Sequence, residues 1–405
     1  MRPSSPRYKL LSSSPSTSLK IISISVLLIY VFLHTIVYVY SIFAVLDEKR
    51  ILDKKELFDG PLVMNDKSKK AIYGRKGVHT AVAVIRPGEL NKMEANSKEL
   101  RVSEAFYREL ISTAREKLKK MNDSRTEERF VYFTFVNDAY TELTMNWLCN
   151  VAPFQNTLDR TIIATSSQRL HGVVKRYHPT VSCILLTFPS SFSKPLDWGK
   201  KAYREWLKMR AQILLRLTMS SIPFVLFETD SSWFRDPFHL FGNATLIDDA
   251  DIVVPAKGTI AKGQTLTFDP MLVYPTNASI YMFEEMNRRL EQMKKAYDQD
   301  ILDYLCRIQY RGVVCRTFEW SEISDGKWFK MSDTDRSRTH PYIVNNNYYV
   351  GVKNKMSRQA LHKLWLLEPT SLRCSVDRRN RMFLVHGEEW EKHRNGGTRN
   401  GSKSS

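Results

Sequence analysis

The chain has 405 residues, 43% hydrophobic and 26% charged, a composition typical of folded globular proteins that excludes fibrous and intrinsically disordered classes. Its 61 Lys and Arg outnumber its 43 Asp and Glu, and the resulting net charge of +18 favours acidic partners. Nucleic acid, anionic lipid, phosphorylated small molecules and acidic glycans all fit that charge.

The first predicted element is an apolar segment at residues 21–46, which contains no Asp, Glu, Lys or Arg. About 20 such residues in a helix cross a hydrocarbon core of roughly 30 Å, so we predict a transmembrane helix. A cleaved signal peptide is the alternative, although its apolar region would span only roughly 7 to 15 residues. Basic residues lie on both sides of the segment, so the positive-inside rule assigns no orientation.

Glycosylation signals and cysteines bear on the compartment. Four Asn-x-Ser/Thr signals follow the apolar segment and are usable only in the lumen or outside the cell, which favours a signal anchor with residues 1–20 in the cytoplasm. In an oxidising lumen one or two disulfides are expected, and the absence of a Cys-x-x-Cys pair argues against a zinc module. The spacing of the five cysteines does not determine which of them pair. The signals start at Asn122, Asn243, Asn277 and Asn400, and the cysteines are Cys149, Cys183, Cys306, Cys315 and Cys374.

Residues 47–128 are charged and are interpreted as a stem between the membrane and a folded domain. Within it, apolar residues from Val102 to Met121 recur every three to four positions after a potential cap at Ser97. This period predicts an amphipathic helix. Its apolar face packs either on the main domain or on a second stem.

Residues 129–368 contain short apolar runs that alternate with helical segments. This order predicts an α/β domain with a sheet buried on both faces and with ligands at the carboxyl ends of its strands. Residues 369–405 are interpreted as a polar, basic tail. The predicted strands span residues 130–136, 161–164, 183–188, 224–227, 252–255, 272–274, 313–318 and 342–344, and the predicted helices span 140–151, 200–219, 280–297 and 352–367.

The most informative segment, residues 223–237, places two acids directly after an apolar strand. Glu228 and Asp230 are two residues apart, so their side chains lie on the same side of an extended chain. Such a pair suits Mg²⁺ or Mn²⁺, which takes hard oxygen ligands and keeps open positions for phosphate oxygens. The metal would neutralise charge on a departing diphosphate. A solvated turn is the alternative interpretation.

The sequence here resembles the nucleotide-diphospho-sugar transferase domain family, a group of type II membrane glycosyltransferases with a GT-A-like fold. The family's acid-x-acid segment usually begins Asp-Val-Asp, and the segment from Glu228 to Pro237 is similar to it, above all in its Trp-Phe-Arg-Asp-Pro end. The resemblance covers about residues 129–367. Its other landmarks are Asn146-Trp147, Asp298-Gln299-Asp300, and Pro341 to Gly351 with Lys355.

The resemblance implies an α/β fold with a GT-A-like, Rossmann-type mixed sheet flanked by helices, behind a transmembrane anchor and a stem, in the Golgi lumen. It implies transfer of a sugar from a UDP-sugar donor to a hydroxyl of a glycan or glycoprotein, with Mn²⁺ or Mg²⁺ at Asp230 and Glu228. A nucleic-acid partner is excluded, because a lumenal domain does not meet nucleic acid. A catalytically silent, membrane-anchored binder of sugar nucleotides or glycans is the alternative.

The chain departs from the family pattern at three places. Glu228 replaces the usual Asp, which keeps the charge on a side chain one methylene longer. Asn345 stands where the family often has His, which leaves the third metal ligand open and makes His340 a candidate substitute. Phe268-Asp269-Pro270 replaces a common Asn-x-Gly, so no acceptor contacts are carried over.

Two further acids are candidate catalytic residues. Asp298 and Asp300 belong to the Asp-Gln-Asp landmark and are placed to hold substrate. Asp298 is equally well placed to cap a helix that follows it. Motifs of P-loop NTPases, α/β-hydrolases and zincins do not occur in the sequence.

Five polar residues are candidate contacts to the nucleotide. Asn137 and Asp138 end the first predicted strand, where GT-A proteins commonly contact the nucleotide, and a plain turn is the alternative. Lys208 and Arg210 are candidates for the diphosphate, with a solvated helix face as the alternative. Asn347 is a candidate through its place in the Asn-rich landmark.

Overall fold

The apolar runs after residue 129 form the central sheet of a computed structural model, which describes residues 102–122, 130–187, 192, 194–196, 198–242, 249–257, 266–293 and 295–386. The predicted membrane segment at 21–46 lies outside these residues. Within the described ranges no helix is both long enough and apolar enough to span a bilayer.

A seven-stranded sheet has the strand order β3-β2-β1-β4-β7-β6-β8. All pairs are parallel except those that β7 makes with β4 and β6. The inner strands are buried along their whole length, as expected for a sheet covered by helices on both faces. All eight predicted strands are confirmed. They are β1 Val131–Val136, β2 Thr161–Thr165, β3 Ser182–Leu185, β4 Phe224–Leu226, β6 Ile252–Pro255, β7 Met271–Val273, β8 Cys315–Phe318 and β10 Ile343–Val344.

A small second sheet connects the acid pair to the Asn-rich segment. Its order is β5-β10-β9, formed by Ser232–Trp233, Ile343–Val344 and Ile323–Ser324. Strands β5 and β9 have two residues each and were not predicted from the sequence. Through β10, residues 345–347 are held next to the turn that follows β4.

The four predicted helices are confirmed, with the third ending earlier and the fourth shorter than predicted. The amphipathic helix predicted between Val102 and Met121 is α1, and the helix expected after Asp298 is α8. Two other helices of ten or more described residues, α4 and α11, were not predicted. The helices are α1 Glu104–Asn122, α2 Thr141–Val151, α3 Thr157–Arg160, α4 Gln168–Tyr177, α5 Lys201–Met219, α6 Phe238–Phe241, α7 Asn277–Gln292, α8 Asp298–Arg307, α9 Asp333–Arg336, α10 Val352–Leu361 and α11 Val376–His386.

Helix α1 packs on the sheet domain through the predicted apolar stripe. Phe106, Leu110 and Ala114 are buried. The ammonium of Lys117 donates to the carbonyl oxygens of Asp159 and Thr180, at 2.6 and 3.1 Å. The folded body therefore begins before residue 129, and α1 is part of it rather than of a free stem.

The segment after residue 368 also belongs to the folded body. A disulfide joins Cys374 to Cys149 on α2. Met382 on α11 is 3% exposed, and its sulfur accepts from Asn150 Nδ2 at 3.8 Å. The predicted start of the basic tail at residue 369 is therefore wrong, because residues 369–386 pack against α2.

Candidate functional site

The Glu-x-Asp pair lies at the carboxyl edge of the large sheet, directly after β4. The backbone N–H and the hydroxyl of Ser231 donate to the carbonyl oxygen of Glu228 at 3.2 and 2.8 Å, which closes the turn around the two acids. The Glu228 side chain is 37% exposed, whereas that of Asp230 is 3% exposed. Glu228 is thus the more accessible of the two carboxylates.

Arg210 on α5 connects this turn to the Asp-Gln-Asp segment. Its Nη1 donates to Glu228 Oε1 at 2.9 Å, and its Nε and Nη2 donate to Asp298 Oδ2 at 3.1 and 2.5 Å. The guanidinium carbon also lies 4.5 Å from the ring centroid of Phe268. Arg210 is 7% exposed, so the interpretation as part of a solvated helix face is wrong.

Asp230 is paired with a second cation, whose side chain is 13% exposed. The ammonium of Lys355 on α10 donates to Asp230 Oδ2. One turn later, Gln359 Nε2 donates to the Asp230 carbonyl oxygen at 2.7 Å. The helix starts directly after Gly351, whose φ of +92° lies in the region that favours glycine. Lys355 was identified in the sequence as a family landmark but not as a site residue.

Burial and charge act against each other at these pairs. Burial raises the pKa values of Asp230 and Asp298 above their ordinary range, and their cationic partners offset only part of the rise. Burial also raises the pKa of Glu228, but the charges of Arg210 and Lys355 outweigh it and hold that pKa below its ordinary value. Burial lowers the pKa of Lys355, but Asp230 above all raises it well above normal. The environment of Asp230 therefore favours additional positive charge.

Asp269 is a third acid at this edge that the sequence analysis did not select as a site residue. Strand β7 runs antiparallel to β4 with Met271 opposite Leu226, so the start of β7 lies beside the end of β4. Burial, followed by the negative charges of Glu228 and Asp230, raises the pKa of Asp269 well above its ordinary value. In the sequence, Asp269 was visible only as an acid just before a predicted strand. The antiparallel pairing of β7 with β4 is what places it beside Glu228 and Asp230.

Asn345 supplies an unpaired oxygen next to these acids. Its Nδ2 donates to the carbonyl oxygen of Asp269 at 2.7 Å. Its Oδ1 is buried and has no hydrogen-bond partner, an arrangement that costs about 1–3 kcal/mol. A ligand, a cation or a water molecule at this oxygen would remove that cost.

The chemistry of these donors fits a divalent cation. Carboxylates from Glu228, Asp230 and Asp269 and the amide oxygen of Asn345 are the hard ligands that Mg²⁺ and Mn²⁺ prefer. Burial first, and then the negative charges of Glu228 and Asp230, raise the pKa of Asp269, so a cation bound here would oppose both effects. Across the described ranges, no three or more His, Cys, Asp or Glu side chains are already arranged as a metal site.

The candidate third ligand His340 is not grouped with the acids. Its carbonyl oxygen accepts from Arg235 Nη2. Its charge contributes to lowering the pKa of His386, whose ring stacks on Phe234 with centroids 4.6 Å apart. The structure therefore gives no support to His340 as a metal ligand.

Asn137 and Asp138 follow β1 at the same edge of the sheet. Asn137 Nδ2 donates to the carbonyl oxygen of Lys194 at 3.0 Å, and its Oδ1 is buried with no partner. Asp138 begins a short 3₁₀ turn, and its carboxylate accepts from the hydroxyl of Ser167, which follows β2. Asp138 thus fixes the turn, whereas Asn137 presents a free acceptor.

The Asn-rich segment is held in place by Asn347. Its Oδ1 accepts from the backbone N–H of Gly326 at 2.5 Å, and its carbonyl oxygen accepts from Arg358 Nη2 at 2.8 Å. A side chain at Gly326 would overlap the Asn347 backbone, so this close approach requires glycine. Asn347 therefore joins two loops beside the site.

Three candidate residues on α5 and α8 remain, and they make different contacts. Lys208 Nζ lies 3.3 Å from Glu205 Oε1, one turn earlier on α5. Asp298 occupies the first position of α8 rather than its cap, which is Tyr297, and its Oδ1 accepts from the backbone N–H of Gln299 at 2.9 Å. Asp300 lies partly buried in the first turn of α8. Of these, Asp298 is joined to the acid pair through Arg210.

Two tyrosines line the cluster and were not selected from the sequence. Burial raises the pKa of Tyr140 to about 12, against the opposing charge of Lys355. Burial likewise raises the pKa of Tyr203 on α5, whose hydroxyl is also influenced by Arg210 and Asp298. Tyr140, just before α2, therefore lies close to Lys355, and Tyr203 on α5 lies close to Arg210 and Asp298.

Comparison with known proteins gives a family match over half of the chain. The profile of the nucleotide-diphospho-sugar transferase family matches residues 156–359, which include the Glu-x-Asp pair, α8 and most of α10. The UDP-D-xylose:L-fucose alpha-1,3-D-xylosyltransferase MGP4 of Arabidopsis thaliana is 22% identical over 250 residues, which cover 58% of this chain and 69% of that protein.

Several solved glycosyltransferase structures are also similar. Mouse xyloside xylosyltransferase 1 aligns at 9% identity with a TM-score of 0.36, covering 54% of this chain and 98% of the other. The galactosyltransferase LgtC, in complex with donor and acceptor sugar analogues, aligns at 13% identity with a TM-score of 0.40, covering 60% and 98%. GlyE of Streptococcus pneumoniae aligns at 13% identity with a TM-score of 0.38, covering 64% and 65%.

Proposed function

The chain belongs to the nucleotide-diphospho-sugar transferase family, and from that premise we propose that it transfers a sugar from a UDP-sugar to a hydroxyl of a glycan or glycoprotein. The observation that carries the proposal is the cluster after β4, where three carboxyl groups meet two largely buried cations. Both signs of charge are needed at such a site, since a metal ion requires oxygen ligands and a diphosphate requires cations.

The donor diphosphate would be held by the cations of the cluster. Lys355 lies with its ammonium on Asp230, and Arg358 lies one turn further along the same helix. Mn²⁺ or Mg²⁺ would be held by Asp230 and Glu228, aided by the Asn345 amide oxygen. When bound, the metal supplies charge neutralisation for the leaving diphosphate. The ammonium of Lys355 would donate a charge-assisted hydrogen bond to a phosphate oxygen of the donor.

The free acceptor on Asn137 supports a uracil base. Uracil carries one ring N–H donor, and the buried Asn137 Oδ1 lacks a donor at the carboxyl end of β1. Pairing the two would remove the cost of an unsatisfied buried oxygen. Guanine also has a ring N–H at its pairing edge, and cytosine and adenine have an exocyclic amine, so the contact fits uracil and the proposal of UDP rests on the family as well.

The transferring sugar is proposed to lie between Arg210 and α8. Asp298 is bound by Arg210 and acts as a positioning residue. Asp300, partly buried in the first turn of α8, is the proposed contact to a sugar hydroxyl. The Arabidopsis relative is described as using UDP-D-xylose, so UDP-xylose is the first donor to test, followed by UDP-galactose and UDP-glucose.

We also propose a Golgi membrane location, with residues 21–46 as a type II signal anchor. Two disulfides, Cys149–Cys374 and Cys306–Cys315, support an oxidising compartment. Among the glycosylation signals, Asn277 is exposed at the start of α7. Protease protection of microsomes tests the orientation, since digestion of the large domain in intact vesicles would contradict it.

Calorimetric titration with UDP, with and without Mn²⁺, tests the donor site directly. We expect UDP to bind more tightly with Mn²⁺ in the wild type and this gain to be lost in Asp230→Asn. Hydrolysis of UDP-xylose in the same buffers would show turnover. Equal binding with and without the metal would contradict the metal-assisted mechanism.

The ion pair of Asp230 with Lys355 favours a second candidate, a catalytically silent binder. A lysine that already compensates Asp230 reduces the gain from a metal at this position. A silent protein would bind UDP or a glycan with no metal effect and would hydrolyse no UDP-sugar. The same titration and hydrolysis assays separate the two candidates.

A further inference from the structure

Trp198 is exposed on the surface beside the proposed site. Its relative exposure is 62%, whereas the other tryptophans within the described ranges are buried or partly buried. Tryptophan joins a large apolar ring to a donor N–H, and such residues are enriched at binding interfaces. The Trp198 ring is therefore available to a ligand from solvent.

The Trp198 ring is held in a defined orientation. It stacks on the ring of Tyr297 with centroids 4.8 Å apart and an interplanar angle of 15°. The next residue, Gly199, has a φ of +85°, and its carbonyl oxygen accepts from Arg204 Nη1 at 3.2 Å. The turn thus fixes Trp198 with one face on Tyr297 and leaves the remainder of the ring exposed.

The stacked pair continues an aromatic surface that starts at the acid cluster. Tyr297 immediately precedes Asp298, which is bound to Arg210. Tyr203 lies next to both, with its ring centroid 6.4 Å from that of Tyr297 and its hydroxyl influenced by Arg210 and Asp298. Trp198, Tyr297 and Tyr203 therefore form a series of neighbouring rings beside Asp298.

We propose that the stacked pair Trp198–Tyr297 binds a pyranose ring of the acceptor glycan. The axial C–H bonds of a pyranose form an apolar face, and this face packs on the electron-rich face of an indole. The hydroxyl groups at the edge of the sugar remain in water or reach polar side chains. The inference deepens the proposed function, on which it rests, by assigning a place to the acceptor.

Exposure favours the acceptor over the donor as the occupant. A diphosphate needs enclosed charges, and the largely buried cations lie inside the cluster at Arg210 and Lys355. A glycan or glycoprotein acceptor extends into solvent and can contact only what the surface presents. Trp198 is presented at the surface, at the exposed end of this series of rings.

The experiment compares Trp198→Ala with Trp198→Phe and with Tyr177→Ala, an exposed aromatic residue on α4 as a control. The full chain in detergent, with UDP and Mn²⁺ present, is titrated with methyl glycosides of galactose, glucose, mannose and fucose. Binding is followed by saturation-transfer NMR. In parallel, the UDP affinity and the rate of UDP-xylose hydrolysis are measured for each variant.

We expect the wild type to bind at least one glycoside and Trp198→Ala to bind it at least about tenfold more weakly. Trp198→Phe retains most of the affinity, and Tyr177→Ala, UDP binding and hydrolysis stay unchanged. Equal glycoside binding by Trp198→Ala, or no binding to any glycoside by the wild type, would overturn the inference. A loss of UDP affinity in Trp198→Ala would overturn it as well, since the ring would then belong to the donor site. Failure of the wild type to bind UDP would instead refute the proposed function.

Discussion

Arg210 donates two hydrogen bonds to a single carboxylate oxygen of Asp298, 88 positions away in the sequence, at 3.1 and 2.5 Å. Both side chains are buried, and the same guanidinium also contacts Glu228. One cation on α5 therefore sets the position of an acid on α8 and of an acid after β4. The relative placement of the two halves of the candidate site depends on this residue.

Replacing Arg210 should destabilise the fold as well as the site. Arg210→Met leaves the buried Asp298 carboxylate unpaired, and breaking a buried pair in this way costs about 3–5 kcal/mol. Arg210→Lys keeps the charge but not the forked geometry, so an intermediate loss is expected. Arg169→Met removes a surface ion pair with Glu142 and should cost less than about 1 kcal/mol. Urea denaturation of the three variants measures these differences, and equal losses for Arg210→Met and Arg169→Met would contradict the account.

The acid pair should respond differently at its two positions. Asp230→Asn removes a charged ligand, and a loss of several kcal/mol in transition-state stabilisation is the expected order. Glu228→Asp keeps the charge and should retain activity, whereas Glu228→Gln loses the charge that faces Arg210 and should be impaired. UDP-sugar hydrolysis with Mn²⁺ measures activity, and thermal melts verify folding. Full activity in Asp230→Asn would exclude it as a metal ligand.

Asp269 should make the fold less stable as the pH rises. Its folded pKa is raised by burial and by Glu228 and Asp230, so the folded state keeps a proton that the unfolded chain loses near pH 3.9. Stability from this group is therefore complete below that pH and is lost as the pH rises through the folded pKa. Asp269→Asn should raise the melting temperature at pH 7 and leave it unchanged at pH 3.5.

A matched control for Asp269 is Asp249, whose pKa is lowered by its hydrogen bond to Arg316. Asp249→Asn should leave the melting temperature at pH 7 unchanged or slightly lower, because that carboxylate is 62% exposed. A higher melting temperature for both variants would point to a general effect of reduced negative charge.

In the wild type, Mn²⁺ should also raise the melting temperature, since a cation compensates the repulsion between Asp269, Glu228 and Asp230.

His386 should make the fold sensitive to acid. Burial, helped by Arg336, His340 and His362, lowers the pKa of His386 to about 4. The unfolded chain gains this proton near pH 6.5, so the stability from neutral His386 is present above that pH and is lost as the pH falls to about 4. The loss is at most about 3 kcal/mol. His386→Phe preserves the stacking with Phe234 and should flatten the stability curve between pH 6.5 and 4 in urea denaturation. An unchanged slope would contradict the assignment.

The two disulfides should contribute unequally to stability. Cys149–Cys374 closes a loop with a sequence separation of 225, whereas Cys306–Cys315 has a separation of 9. In the chain-entropy model, this difference in loop length is worth about 3 kcal/mol. The double variant Cys149→Ser with Cys374→Ser should therefore melt well below Cys306→Ser with Cys315→Ser. Similar melting temperatures would mean that the unfolded chain gains little freedom from opening the long loop.

The sequence by itself determined the alternation of strands and helices after residue 129. It also placed Glu228 and Asp230 at the end of a buried strand. Both follow from local pattern, because runs of apolar residues and their period depend on neighbours within a few positions. Strands β5 and β9 of the small sheet, α11 and the bounds of the folded body were not predicted from such patterns.

Tertiary structure alone decided which groups meet. Lys355 reaches Asp230 across 125 positions, and Asp269 approaches the pair only because β7 runs antiparallel to β4. Burial of Arg210 followed from the packing of α5, not from its place in a helical period. Such contacts depend on the order of strands and on how helices pack across the sheet. A local pattern of residues does not determine either.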